Sequence, residues 1–177
     1  MNASNGRPTA LDWSTDNCTI ARTLGALGEK WTFHVLREVF QGVRRFDDMR
    51  VRTPIPRQVL SDRLTHLVEQ GLLRRVPYRV AGQRERHEYR LTESGLALYP
   101  VLLSLIGWGD EYLAVPEGRP LVAEHRDCGE EVHVEIRCAA GHQVPPRESR
   151  IRPGPGARRR DPDGQAERGR GSVLPVE

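Results

Sequence analysis

Between residues 44 and 91 the apolar spacing switches once, from the period of a helix to the period of a strand, and turn residues punctuate the segment at each change. From Arg57 onward the apolar side chains fall at Val59, Leu60, Leu64, Leu67 and Val68, which is the single buried stripe of an amphipathic helix. Pro54 and Pro56 suit the turn and first helical turn before it, and Gly71 suits a left-handed cap after it, so the spacing predicts a helix bounded near 56 and 70. Just upstream, Phe46, Met49 and Val51 among charged neighbours predict a short helix, joined to the longer one by the tight turn Thr53 to Ile55. Downstream, Leu73, Val76, Tyr78 and Val80, then His87, Tyr89 and Leu91, predict two strands, with Ala81, Gly82 and Gln83 as their turn.

Helix, turn, helix and then a hairpin is the layout of a winged helix-turn-helix, which implies sequence-specific recognition of double-stranded DNA. The polar face of the longer helix carries Arg57, Gln58, Ser61, Asp62, Thr65 and His66, side chains able to read base edges and phosphates in a major groove. The hairpin carries Arg74, Arg75, Arg79, Arg84, Arg86 and Arg90, and a narrow minor groove attracts arginine. The alternative is that these arginines only solvate an exposed hairpin. Charge distribution favours DNA: residues 44 to 90 hold twelve Arg against six acidic residues, a surplus of six in a chain whose total is +3. That signal is diluted because 26 of the 27 basic residues are Arg throughout the chain.

With 177 residues there is room for one ordinary domain and added segments. No apolar run is long enough to span a membrane, and residues 1 to 17 lack the features of a secretory signal, so a cytoplasmic location is expected. Helices are predicted over Thr19 to Leu27 and Lys30 to Phe40, with Ile20, Leu24, Leu27, Trp31, Val35, Leu36 and Phe40 as core. A further helix opens at Thr92 and runs to about Leu113, with Pro100 expected to kink or interrupt it. It holds more apolar surface than one small winged domain buries, which predicts a homodimer presenting two recognition helices to a palindromic operator.

Taken in order, Cys18 at a helix start, LGEKWTFHVLREVFQG, RRFDDMR, IPRQVLSDRLTHLVEQGLLRR, HEYRLTESG and LLSLIGWGDEY resemble the HxlR family of bacterial winged-helix transcriptional regulators, relatives of the MarR type. The resemblance covers about residues 16 to 113. It implies a dimeric winged helix whose first and last helices form the dimer interface, acting as a repressor or activator. Carried onto this chain, it points to Arg57, Gln58, Ser61, Asp62, Thr65 and His66 on the recognition helix and Arg84 and Arg86 on the wing. Arg63 also matches a family-typical arginine, either binding phosphate or pinning the helix to its own domain. Asp62 either accepts from a base or orients a neighbouring side chain. Unlike most of the family, this chain continues for some sixty residues past the last helix.

Cys18 follows Asp16 and Asn17, plausible caps, and a thiol at a helix N-terminus is favoured as thiolate. Two readings stand open: a redox-sensing thiol, as in some HxlR-like regulators, or a small packed residue at the dimer interface. In the extension, Val132, Val134 and Ile136 alternate with polar residues and predict a small β unit over 119 to 152. There His125, Cys128, Cys138 and His142 form H-x2-C-x9-C-x3-H, soft ligands in two close pairs suited to a structural zinc, or else stray residues of a metal-free hairpin. From Arg152 the Gly, Pro and Arg content predicts a disordered tail over 153 to 177, and residues 1 to 15 a flexible N-terminus.

The expected fold class is therefore α+β: a mainly helical winged domain with a two-stranded β wing, plus a small β-rich extension. The expected function is a DNA-binding transcriptional regulator, a dimeric repressor responsive to redox or a ligand. No nucleophile, base or phosphate-loop constellation has supporting spacing, which argues against an enzyme. A thiol- or metal-dependent enzyme and a winged-helix protein-interaction module are the alternatives.

Overall fold

A computed structural model describes residues 9–82 and 84–160 of the chain. These fall into two compact units, one spanning Ala26–Gln143 and the other combining 9–25 with 144–160. The helices are α1 (Thr19–Leu27), α2 (Lys30–Phe40), α3 (Phe46–Arg52), α4 (Arg57–Glu69), α5 (Glu93–Leu96) and α6 (Tyr99–Tyr112). The strands β1 (Leu73–Tyr78) and β2 (Arg86–Leu91) pair antiparallel, from Leu73 opposite Leu91 to Tyr78 opposite Arg86. Among the described residues no helix is long and apolar enough to cross a membrane.

The core of the larger unit is built from the first four helices: Leu27 ends α1, Val35, Leu36 and Val39 come from α2, Met49 from α3, and Leu60, Leu64 and Leu67 from α4. Ile55 plugs the α3 to α4 turn into this core and Leu73 roots the hairpin in it. The stripe expected for α4 is thus the buried one, with Val59 and Val68 half-buried at its margins. Val51 is different. It stands two residues beyond Met49, on the far side of α3, and is 89% exposed.

Two polar clamps fix the frame. Glu38, fully buried on α2, accepts from the Arg37 guanidinium (2.6 and 3.1 Å) and from Arg52 Nε on α3 (2.6 Å). At the end of β2, the Thr92 hydroxyl donates to the Gly71 carbonyl (2.6 Å) and accepts from the Gly95 amide (3.1 Å), capping α5 against the end of α4. Gly71 has φ +66°, the left-handed conformation a helix C-terminus favours, and Gly95 lies so close to Leu72 that an added Cβ would stand 2.2 Å from its carbonyl oxygen.

The helix opening after Thr92 is interrupted as expected: it divides into α5 and α6, and Pro100, lacking an amide, occupies the first turn of α6. Other expectations are corrected. Ile20 and Leu24, expected in the core, are 69% and 56% exposed: their spacing shows that a face of α1 wants covering, not what covers it. The hairpin is also joined by a third segment. Tyr89 N donates to Arg44 O (2.8 Å) and Arg45 bridges Glu88, so β2 is flanked on both sides and β1 is the edge, where Pro77 is tolerated.

The β-rich extension is not formed. Val132 to Ile136 contain no strand, and 119 to 152 hold two isolated antiparallel bridges, Glu124 with Glu131 and Arg137 with Gln143, and a 3-10 turn at Pro146–Glu148. In the smaller unit, Ser14 N donates to Arg158 O (2.8 Å), Arg160 N to Asp12 O (2.9 Å) and Asn17 Nδ2 to Gly156 O (2.6 Å), with the Arg159 guanidinium over the Trp13 ring. Residues 154–160, read from composition as part of a disordered tail, therefore lie beside the N-terminal segment. The rest of that tail, 161–177, residues 1–8 of the expected flexible N-terminus, and Gln83 in the wing turn fall outside the described residues.

Candidate nucleic-acid interface

α4 presents Arg57, Gln58, Ser61 and Asp62 as one exposed strip, since one and four residues apart place side chains on neighbouring rows of the same face. Gln58 Nε2 donates to Asp62 Oδ1 (2.8 Å), so the acid orients an amide rather than an arginine. No side chain caps the N-terminus of α4, whose preceding residue is Pro56, and its first-turn amides stay without a side-chain acceptor. That feature was missed from sequence, although the absence of Ser, Thr, Asp or Asn at the cap position is its signal.

The other three recognition-helix residues are turned toward the domain. Arg63 is largely covered and its guanidinium lies 3.9 Å from Glu29, which favours pinning over phosphate contact. Thr65 Oγ1 accepts from Arg75 on β1 at 3.5 Å. His66 Nε2 lies 3.1 Å from the Ala26 carbonyl, half-buried against the end of α1. Periodicity put Thr65 and His66 on the polar face and the family resemblance added Arg63; only packing shows that this face is wider than the strip left open.

On the wing, Arg84 is exposed beside the turn and makes no ion pair among the described residues. Arg86 pairs with Asp47 at the start of α3 (2.9 Å) while remaining half-exposed. Arg79 pairs with Glu85 (3.2 Å) and Arg90 with Glu88 (2.6 Å), so part of the hairpin's positive charge is answered locally. Arg45 stacks on Tyr78, 4.3 Å from the ring centroid, and braces the third segment against β1.

Cys18 occupies the position before α1, its carbonyl accepting from Arg22 N (3.1 Å), and is half-buried; Cys128 and Cys138 are exposed, and all three are free thiols. Asn17 does not cap the helix, its side chain being committed to Gly156. The four expected zinc ligands do not converge. His125 Nδ1 lies 3.2 Å from Cys128 Sγ, while Cys138 and His142 close a separate turn through Cys138 N to His142 O (3.0 Å). Among the described residues no group of three or more His, Cys, Asp or Glu is placed to hold a metal, so this donor set does not fit a tetrahedral zinc. The sequence offers CAAGH, with one cysteine in the second turn, and that turn closes through backbone bonds around Gly141.

Residues 26–117 match the family model described as HxlR-like helix-turn-helix. The chain is 46% identical over 139 residues to the uncharacterised HTH-type transcriptional regulator Rv3095 of Mycobacterium tuberculosis, covering 78% of this chain and 87% of that one. It is 33% identical over 110 residues to the uncharacterised HTH-type transcriptional regulator YdeP of Bacillus subtilis, covering 60% and 84%. Among solved structures it is similar to PA1607, with a TM-score of 0.67 and 31% identity over 76% of this chain and 94% of that one. It is also similar to PA1374 of Pseudomonas aeruginosa, with a TM-score of 0.55 and 33% identity over 80% and 95%. Helix-turn-helix, wing and matched motifs agree: the chain belongs to the HxlR-like helix-turn-helix family, and is a DNA-binding transcriptional regulator rather than an enzyme.

Proposed function

We propose that the chain is a homodimeric repressor that reads a palindromic operator, with α4 in the major groove and the wing tip in the minor groove. The observation that carries this is the open strip Arg57, Gln58, Ser61 and Asp62 on α4, together with the exposed Arg84 beside the wing turn. In this arrangement Arg57 and Gln58 meet base edges, the uncapped first turn of α4 and Arg84 meet phosphate and groove floor, and Arg63, Thr65 and His66 hold the helix in place. Dimerisation is supported by α6, where Val101, Leu105, Trp108 and Tyr112 recur at intervals of four, three and four residues and are all exposed. The exposed pair Ile20 and Leu24 on α1 adds a second apolar surface of the same kind. Cys18, half-buried before α1, supports a thiol-responsive reading, in which Cys18→Ser retains DNA binding and loses any response to oxidant.

Fluorescence anisotropy of the reduced protein on its own upstream DNA, across a salt series, tests the groove assignment. Log affinity should fall with log salt at about 0.9 per phosphate contacted. Arg57→Ala should cost about 1–3 kcal/mol and relax base preference, and Arg84→Ala should weaken binding with a shallower salt slope. Unchanged affinity in both variants would overturn the assignment.

A further inference from the structure

Beyond the DNA surface, α6 carries a second feature. Segment 119–136 returns along α6 and forms with it an open cavity of about 620 Å3 that meets the exposed stripe at Trp108. That volume lies within the range of small-molecule sites. Leu103 and Ile106 on the helix and Leu121 and Val132 on the returning segment supply apolar walls, and Gly107 leaves one side of the helix bare.

The charged groups at this cavity are Asp110, Glu111, Glu131 and Arg119, with the His133 imidazole beside them. Arg119 forms a two-pronged pair with Glu131, Nη2 to Oε2 being 3.0 Å, so these two answer one another. Asp110 and Glu111 remain as an acidic surplus beside apolar walls, in a chain whose overall charge is positive. Trp108 stands at the edge, its ring engaged with that of Tyr112 at 5.5 Å.

We propose that this cavity binds a lipophilic organic cation. An anion would face two carboxylates with the single guanidinium already engaged. A compact inorganic cation would gain nothing from the apolar walls. A bulky cation satisfies both, burying hydrocarbon against Leu103, Ile106 and Val132 while its charge faces Asp110 and Glu111. The site does not depend on DNA binding, and Trp108 is the residue it shares with the exposed stripe Val101, Leu105, Trp108 and Tyr112.

Equilibrium dialysis of the full chain with tetraphenylphosphonium tests this, with tetraphenylborate as an anion of the same shape. The phosphonium should bind saturably at one site per chain. Asp110→Asn with Glu111→Gln should weaken it roughly tenfold. Gly107→Leu should abolish it, because the new side chain grows into the cavity where an added Cβ meets nothing within 4 Å. Leucine is also the better helix former, and unchanged circular dichroism would show the fold retained. Absence of phosphonium binding, binding that survives Gly107→Leu, or borate bound equally well in a manner sensitive to Gly107→Leu would overturn the proposal.

Discussion

Replacing the buried Glu38 by alanine should cost about 2–3 kcal/mol of stability. The carboxylate is fully buried and accepts three hydrogen bonds from two guanidiniums, and it is the tie between α2 and the first helix of the helix-turn-helix. Breaking a buried pair from one side costs about 3–5 kcal/mol when the surviving charge is trapped. Here it is not trapped: the Arg37 and Arg52 side chains are 34% and 51% exposed and can turn to water, and Arg52 keeps Gln41 as an acceptor at 3.0 Å. That lowers the figure, while the small cavity left under α2 raises it. Glu38→Gln, which keeps the shape and one acceptor, should cost about 1–2 kcal/mol. Burial opposes the charge on Glu38, but the hydrogen bonds from Arg52 and Arg37 outweigh it and hold its pKa below the usual glutamate value. A folded-state pKa below the unfolded one stabilises above the unfolded value of about 4.3, and that stability is lost as pH falls through the folded value. Urea denaturation of the three proteins should therefore show a gap between wild type and Glu38→Gln that is constant near neutrality and narrows below about pH 4. A loss under about 0.5 kcal/mol for Glu38→Ala, or a gap independent of pH from 3 to 7, would refute the reasoning.

Gly95→Ala should destabilise by about 2–4 kcal/mol, because the added Cβ meets the Leu72 carbonyl at 2.2 Å and Leu91 at 3.1 Å and the Thr92 clamp must open to admit it; urea midpoints check this. Leu105→Glu on the exposed stripe of α6 should leave the monomer folded and shift sedimentation toward it, whereas an unchanged dimer would move the interface elsewhere. His34 has its pKa lowered by burial and by Arg37 and Lys30, so stability should decline as pH drops through the unfolded histidine value of about 6.5, and His34→Phe should flatten that slope.

The recognition helix and hairpin were legible in sequence because their constraints are local. Pro56 and Gly71 bracket α4, Leu60, Leu64 and Leu67 repeat with the helical period, and Thr92 caps the helix that follows the wing. The limits of that reading are equally specific. Val132 to Ile136 alternate like a strand, but a strand requires a partner and none of the described residues supplies one along that length. His125, Cys128, Cys138 and His142 have ligand chemistry, yet each pair closes its own turn.

The sequence by itself determined which segments are helix, turn and wing, and that positive charge is concentrated between residues 44 and 90, since periodicity, caps and composition act over a few residues. Tertiary structure alone decided which polar side chains on α4 stay open. Arg63, Thr65 and His66 are drawn to Glu29, Arg75 and the Ala26 carbonyl, partners that local sequence does not reveal. It also decided that α6 has a covered flank with a cavity and a bare apolar stripe, because what a helix face meets depends on the whole chain's path and not on the helix itself.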